Sequence, residues 1–218
     1  MRVVIAYESM YGNTHRLAEA IASGFGSDHA VTVVAVAEVD PNQSDTDVLV
    51  IGAPTHAHGL PRPSTRRAAA DGAHTKLDDH DLDPSAAGPG VREWLQRLPR
   101  HLSLQVAAFD TRFRPPAWLV GHPARQVVRK LRHLGVSVLT PPESFFVDKH
   151  EQLVSGELDR ARGWGEELRR RAERNGDVRR RGRNGNRDDW LSCAPPGPAG
   201  LPVGSEDSRT ARTGATRP

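Results

Sequence analysis

Residues 3–14 read V-V-I-A-Y-E-S-M-Y-G-N-T, and they decide the fold. Residues 3–7 are apolar and rich in β-branched side chains, which is typical of a strand buried on both faces of a parallel sheet. Residues 13–25 follow with apolar side chains at helical spacing, which predicts a helix. A strand, a tight turn and a helix therefore come directly after one another.

The same alternation continues along the chain. Apolar runs predict four further strands at residues 31–36, 48–52, 105–109, and 136–139 continued by 145–147. Helical spacing predicts helices at residues 64–70, 91–98, 123–134 and from 157 to about 174. Alternating strands and helices predict an α/β domain with a five-stranded parallel sheet and helices on both faces.

The charge of the chain is concentrated at its end. Of 30 Lys and Arg and 27 Asp and Glu, nine basic and six acidic residues lie at or after position 173, so the preceding part is neutral. Residues 173–218 are rich in Arg, Gly and Pro and have few apolar side chains to bury, which predicts a disordered tail after a domain at residues 1–172. Because folded nucleic-acid readers concentrate charge on one structured face, a nucleic-acid partner is not expected.

Cysteine usage and the start of the chain bear on location. Cys193 is the only cysteine, which excludes an intramolecular disulfide and a multi-cysteine metal site. Met1 and Arg2 lead straight into the first strand, and no apolar stretch is long enough for a signal sequence or a membrane span. We expect a cytoplasmic protein without membrane contact.

The loop after the first strand is Ser9-Met10-Tyr11-Gly12-Asn13-Thr14. Backbone N–H groups at a helix N-terminus converge on such a turn and favour an anion. The hydroxyls of Ser9 and Thr14 and the amide of Asn13 are neutral donors, which suit a phosphate that is bound and not transferred. Neither GxGxxG nor GxxxxGK[ST] occurs, which leaves a mononucleotide. The alternative is a tight turn with a helix cap.

The segment E-S-M-Y-G-N-T resembles the phosphate-binding loop of the flavodoxin family and is close to the S-M-Y-G-N-T form of flavodiiron proteins. The usual loop reads T/S-x-T-G-x-T, so Tyr11 replaces a small hydroxyl residue, as in flavodiiron proteins and flavodoxin-like quinone reductases. The resemblance covers about residues 1–172. It implies a doubly wound flavodoxin-like sheet of order 2-1-3-4-5 and FMN as the cofactor.

The loop after the third strand contains Pro54-Thr55-His56-Ala57-His58-Gly59 and resembles the first ring-flanking loop of flavodoxins. By position, His56 lies against the flavin ring. Ala57 stands where flavodoxins commonly have a glycine whose peptide flips on one-electron reduction, and this flip is harder for alanine. An ordinary loop is the alternative for His56 and His58, and a metal site ranks last because no third ligand is visible.

The segment after the fourth strand resembles the second ring-flanking loop. The cofactor contacts implied there are Asp110, Thr111, Arg112, Trp118 and Gly121. Trp118 is the candidate stacking residue, with a core or interface position as the alternative. Arg112 raises the flavin potential if it lies near the N1/O2 edge, and a surface charge is the alternative.

No nucleophile–base–acid arrangement is visible, so no catalytic residue is predicted. Glu93, Trp94 and Glu143 are expected at partly exposed structural positions. The resemblance implies an electron carrier between a reductase and an acceptor enzyme or small molecule. The alternatives are an NAD(P)H-dependent quinone reductase, favoured by Tyr11 and Ala57, and a flavin-free interaction protein on the same fold.

Overall fold

The computed structural model describes residues 1–42, 45–55, 59–73, 82–86, 88–100, 102, 104–114 and 121–191. The chain forms two units, Met1–Val178 and Arg179–Pro218. The sheet and the predicted site residues belong to the first unit. Its boundary lies beyond the one predicted at residue 172.

The first unit is built on a parallel sheet. Its strands are β1 (Arg2–Tyr7), β2 (Ala30–Ala35), β3 (Val48–Pro54), β4 (Gln105–Phe113), β5 (Ser137–Val138) and β6 (Glu143–Val147). The order is β2-β1-β3-β4-β5, and β6 also pairs with β4. The predicted order is confirmed. The fifth position of the sheet is occupied by two short strands, β5 and β6, which both pair with β4. Pro141 and Pro142 separate them, because proline has no N–H to donate to a neighbouring strand.

Helices cover both faces of the sheet. They are α1 (Asn13–Phe25), α2 (Pro63–Ala73), α3 (Val91–Arg97), α4 (Pro123–His133) and α5 (Glu157–Leu191). Apolar side chains of α3 and α4 pack in the core on one face, and those of α1 and α5 pack in the core on the other. The doubly wound arrangement predicted from the sequence is therefore confirmed. No helix in the described part is long and apolar enough to cross a membrane.

Helix α5 extends past the residue at which the sequence predicts the disordered tail to start. The sequence predicts disorder from residue 173, whereas the helix continues to Leu191. Glu173 Oε1 lies 3.2 Å from His29 Nε2, and Asn175 Nδ2 donates to Gln105 Oε1 at 2.8 Å. These contacts with residues far away along the chain anchor the helix at the place where its end was predicted. Residues 192–218 of the predicted tail lie outside the described residues.

Helices α1 and α5 approach closely at two glycines. A Cβ placed on Gly24 meets the carbonyl oxygen of Arg162 at 2.2 Å, and one placed on Gly165 meets the carbonyl oxygen of Ile21 at 2.2 Å. Carbonyl oxygens of helical backbone cannot move aside as a flexible side chain can. Only glycine therefore permits this packing distance.

Replacing Gly165 tests the close approach. Gly165→Ala should lower the free energy of unfolding by about 2 kcal/mol, because the added methyl group overpacks the contact with α1. Gly163 is the matched control, since a Cβ there meets nothing within 4 Å in the same helix. Gly163→Ala should raise the free energy of unfolding by up to about 1 kcal/mol through helix propensity. Urea denaturation measures both, and equal effects would contradict the packing.

Candidate functional site

The N-terminus of α1 lies after the carboxyl end of β1, where the sheet order changes direction. Gly12 is its N-cap residue, with φ of 76°, and makes no side-chain cap. The first turn contains no acidic residue. The first amide groups of a helix have no partner within the helix, so this end is open to an anion. The self-capped turn considered as an alternative is not observed.

Buried hydroxyl groups surround this helix end. Ser9 is 1% exposed. Its Oγ and Thr55 Oγ1 have no hydrogen-bond partner among the described residues. Thr14 Oγ1 lies 3.2 Å from Thr111 Oγ1, and either hydroxyl can donate. Buried polar atoms are nearly always hydrogen-bonded, so two unpartnered hydroxyls beside a cleft indicate a ligand.

A cleft of about 270 Å³ opens at this edge of the sheet. It is lined by Ser9, Met10, Tyr11, Asn13, Thr14, Pro54, Thr55, Thr111, Arg112, Phe113, Val147 and Glu151. All except the last three are predicted cofactor contacts. The structure thus brings residues of the three predicted loops together at one cleft.

The remaining predicted contacts do not line this cleft. Gly12 forms the turn before α1, Gly59 lies next to Gln126, and Gly121 precedes α4. Asp110 lines a different cleft. The predictions for His56, Ala57, His58 and Trp118 fall outside the described residues.

Asp110 is fully buried and serves the start of α4. Its Oδ2 accepts a hydrogen bond from the Ala124 N–H at 3.0 Å. Burial raises the pKa of this carboxyl, while the Ala124 N–H, the Ser144 side chain and the guanidinium groups of Arg112 and Arg125 oppose the rise. One carboxylate oxygen of Asp110 thus supports the start of α4, and the implied contact of Asp110 with the cofactor stays a prediction.

The side-chain amide of Asn13 is also used within the protein. Its Nδ2 donates to the carbonyl oxygen of Glu151, which has a φ of 59°. This hydrogen bond ties the loop after β1 to the segment between β6 and α5, and the role of the amide as a phosphate donor stays a prediction. The tie brings that segment, which the sequence analysis did not consider, to the cleft.

A buried ion-pair network lies directly behind the loop after β1. Glu8 is 4% exposed; its Oε2 accepts the Val91 N–H at 2.8 Å, and its Oε1 lies 3.3 Å from Arg66 Nη1. Arg66 Nη2 donates to Glu93 Oε2 at 3.0 Å. Burial raises the pKa of Glu8, and the Val91 N–H and Arg66 oppose the rise. This network fixes the residue that precedes Ser9.

The expectation of a partly exposed position is confirmed for Glu93 and Glu143 and is wrong for Trp94. Glu93 belongs to the network with Arg66. Trp94 is 2% exposed, and its Nε1 donates to the Val39 carbonyl oxygen at 2.9 Å. Glu143 is paired with Arg160. Each partner lies far away along the sequence, so local spacing gave no sign of it.

Sequence comparison supports the same assignment as the geometry. Residues 5–94 match the model of the family described as Flavodoxin. This part of the chain is similar to flavodoxins. The match includes the loop after β1 and reaches α3, so the resemblance seen in the sequence is confirmed. No curated protein matches the chain.

Solved flavodoxins share the fold. A flavodoxin from the domain Archaea is 16% identical, with a TM-score of 0.54, and the match covers 79% of this chain and 99% of that one. Flavodoxin 1 from Bacillus cereus is 15% identical, with a TM-score of 0.53, over 77% of this chain and 97% of that one. The Flv1 flavodiiron core from Synechocystis sp. PCC6803 is 17% identical, with a TM-score of 0.52, over 80% of this chain and 36% of that one.

Phe113 is a residue of the cleft that the sequence did not point to. It is 40% exposed and is the one exposed large hydrophobic side chain in the described part. It lines the cleft because β4 continues to Phe113, beyond the end predicted at residue 109. Its aromatic side chain directly after Arg112 was the available signal. Among the described residues, no group of three or more His, Cys, Asp and Glu is placed to hold a metal.

The pH dependence of stability tests the burial of Asp110. Asp110→Asn keeps an oxygen acceptor for the Ala124 N–H and removes the titration. Burial raises the pKa of Asp110 in the folded state above its value in the unfolded state. The stability linked to this carboxyl is therefore fully present below the unfolded-state pKa, and it is lost as pH rises through the folded-state pKa. The variant should therefore gain stability relative to the native protein as pH rises. Urea unfolding across acidic to neutral pH measures this, and parallel profiles would contradict it.

Proposed function

We propose that this chain binds FMN at the cleft and carries electrons between a reductase and an acceptor. The observation that carries this proposal is the uncapped start of α1 beside the buried, unpartnered Ser9 Oγ. The match of residues 5–94 to the flavodoxin family model supports a flavin cofactor. FMN supplies reversible redox chemistry when bound, and the protein supplies its position and electrostatic surroundings.

The phosphate is held by neutral donors. Ser9, Thr14 and Thr55 line the cleft, and so does Asn13, the first residue of α1. No Lys or Arg occurs between Ser9 and Thr14, so the helix end provides the positive field. Such a donor set binds a phosphate monoester without activating it for transfer.

Two side chains of β4 set the environment of the flavin ring. Phe113 offers an exposed aromatic face to the cleft. The Arg112 guanidinium carbon lies 5.2 Å from the centre of the Phe146 ring, and its Nε is buried without a hydrogen-bond partner among the described residues. A fixed cation at this wall favours the reduced, more negative flavin. Ring contacts by His56, Ala57, His58, Gly59, Trp118 and Gly121 stay predictions, as does a cytoplasmic location.

Quinone reduction is the second candidate function. Tyr11 lines the cleft, and it replaces the small hydroxyl residue of the usual phosphate loop, as in flavodoxin-like quinone reductases. FMN-loaded protein mixed with NADH or NADPH and benzoquinone separates the two. We expect nicotinamide oxidation no faster than with free FMN. Oxidation that is much faster than with free FMN would select the reductase instead of the carrier.

Removing the Ser9 hydroxyl tests the phosphate site. Ser9→Ala should weaken FMN binding about 10- to 100-fold, because one hydrogen bond to a charged group is lost. Folding stability should not fall, since Ser9 Oγ has no partner among the described residues. Quenching of FMN fluorescence measures the affinity.

Ser23→Ala is the matched control for this measurement. Ser23 lies near the other end of α1, where its Oγ donates to the Ala20 carbonyl oxygen at 2.7 Å. The same loss of a hydroxyl there should leave FMN affinity within about twofold of the native value, because the cleft is not touched. Equal loss of affinity in both variants would contradict the assignment of Ser9.

A further inference from the structure

Helix α4 is uniformly basic on its exposed side. Its eleven residues contain five basic side chains and no acidic one: Arg125, Arg129, Lys130, Arg132 and His133. All five are exposed, and none forms an ion pair within the described part of the chain.

Several arginines of α5 are paired with glutamates of the same helix. In α5, Arg169 pairs with Glu173, and Arg171 pairs with Glu167, both four residues apart. The charge of α4 therefore stands out from that of the other long helix, and it is available to another molecule.

Three arginines of α4 line a groove. Arg125, Arg129 and Arg132 follow one another at helical spacing, so they share a face of the helix. The groove that they line has a volume of about 480 Å³. We name it the α4 groove; its residues are Arg125, Val128, Arg129, Arg132, Pro141 and Pro142. Its wall combines apolar carbon with positive charge.

Shared lining residues link the α4 groove to the proposed FMN cleft through a third cleft. Arg125 and Pro142 also line a neighbouring cleft of about 260 Å³. Arg112 lines both that neighbouring cleft and the FMN cleft. A row of arginines thus leads from the groove to the wall of the cofactor site.

Acidic groups along this row are already engaged. Glu143 in the neighbouring cleft is paired with Arg160. Asp110 is buried and accepts the Ala124 N–H. The row therefore keeps a net positive character between the α4 groove and Arg112.

We infer that the α4 groove docks an acidic redox partner protein beside the FMN cleft. This inference rests on the proposed electron-carrier function. Complementary charge increases the rate of encounter and selects among partners, and a positive surface next to the cofactor selects an acidic one. The net charge of residues 173–218 does not complement the groove, because they carry nine arginines against six acidic residues.

An acidic blue-copper protein serves as the probe, because its surface is negative and its copper accepts one electron. Two Cu(II) centres take one electron each from one fully reduced FMN and become Cu(I). The flavin returns to its oxidised form and releases its protons to solvent. Stopped-flow absorbance of the copper band gives the second-order rate constant, since that band is lost on reduction.

The variant pair Arg129→Gln and Arg132→Gln removes two charges from the α4 groove. At low ionic strength it should lower the rate constant about tenfold, because rim charges act mainly on the encounter rate. The effect should shrink at high ionic strength as the charges are screened. A basic c-type cytochrome used as the acceptor should show no such loss.

The control pair is Arg97→Gln and Arg100→Gln. These two arginines are exposed, have the same spacing and lie on and just after α3. The control removes the same net charge and should change the rate constant less than twofold. Equal losses in the two pairs would overturn the inference, because net charge alone would then explain the effect.

Separate readouts distinguish failure of docking from failure of the cofactor proposal. FMN uptake is measured first for each protein, and no uptake contradicts the proposed function. Docking is then judged by calorimetric affinity for the oxidised copper protein, which needs no flavin. Loss of affinity in the groove pair alone supports docking. Equal affinity of the groove pair and the control pair for the copper protein overturns docking. Docking is also overturned if the native protein binds single-stranded DNA or phosphatidylserine vesicles more tightly than the copper protein and the groove pair loses that binding.

Discussion

The backbone amide groups at the start of α1 point to the crevice where the sheet connections change direction, and the proposed cofactor site depends on their partial positive charge. Gly12 makes the turn from β1 with a φ of 76°, a left-handed conformation that glycine adopts readily. Because glycine has no Cβ, no side chain stands beside the crevice at this position. No side chain caps the helix, and no acidic residue lies in its first turn. A phosphate supplies the acceptors that this helix end lacks.

This helix end is held from behind by the buried network of Glu8, Arg66 and Glu93. A buried carboxylate is costly unless it is paired and hydrogen-bonded, and Glu8 meets both conditions through Arg66 and the Val91 N–H. Gly90 allows the approach, because a Cβ there would lie 2.5 Å from both Arg66 Nη1 and Glu8 Oε2. The network joins the first loop to α2 and α3, so the position of Ser9 depends on three elements.

The sheet and the first loop could be predicted because their signals are local. Apolar runs of strand length and a distinctive loop sequence are contiguous in the chain, and the predicted helix at residues 13–25 matches α1. Pairings between distant residues could not be predicted. Arg66 and Glu8 are 58 residues apart, and the residues that hold the later part of α5 lie in β4 and before β2. Only the folded chain brings such partners together.

The orientation of side chains on β4 was also beyond the sequence. Alternation along a strand assigns neighbours to opposite faces, but it does not tell which face meets a ligand. Thr111 lines the proposed FMN cleft, whereas Asp110 lines the neighbouring cleft and accepts the Ala124 N–H. The resemblance to flavodoxins pointed to this loop, and the structure places its residues at two different clefts.

The most direct test of the phosphate site compares FMN with riboflavin, which differs only by lacking the phosphate. Fluorescence titration of the purified protein with each flavin gives the two dissociation constants. Binding at the start of α1 predicts that FMN binds about 100-fold more tightly or better, since several hydrogen bonds to a charged group depend on the phosphate. Equal affinities would contradict a phosphate site at α1, and no binding of either flavin would contradict the flavin site itself.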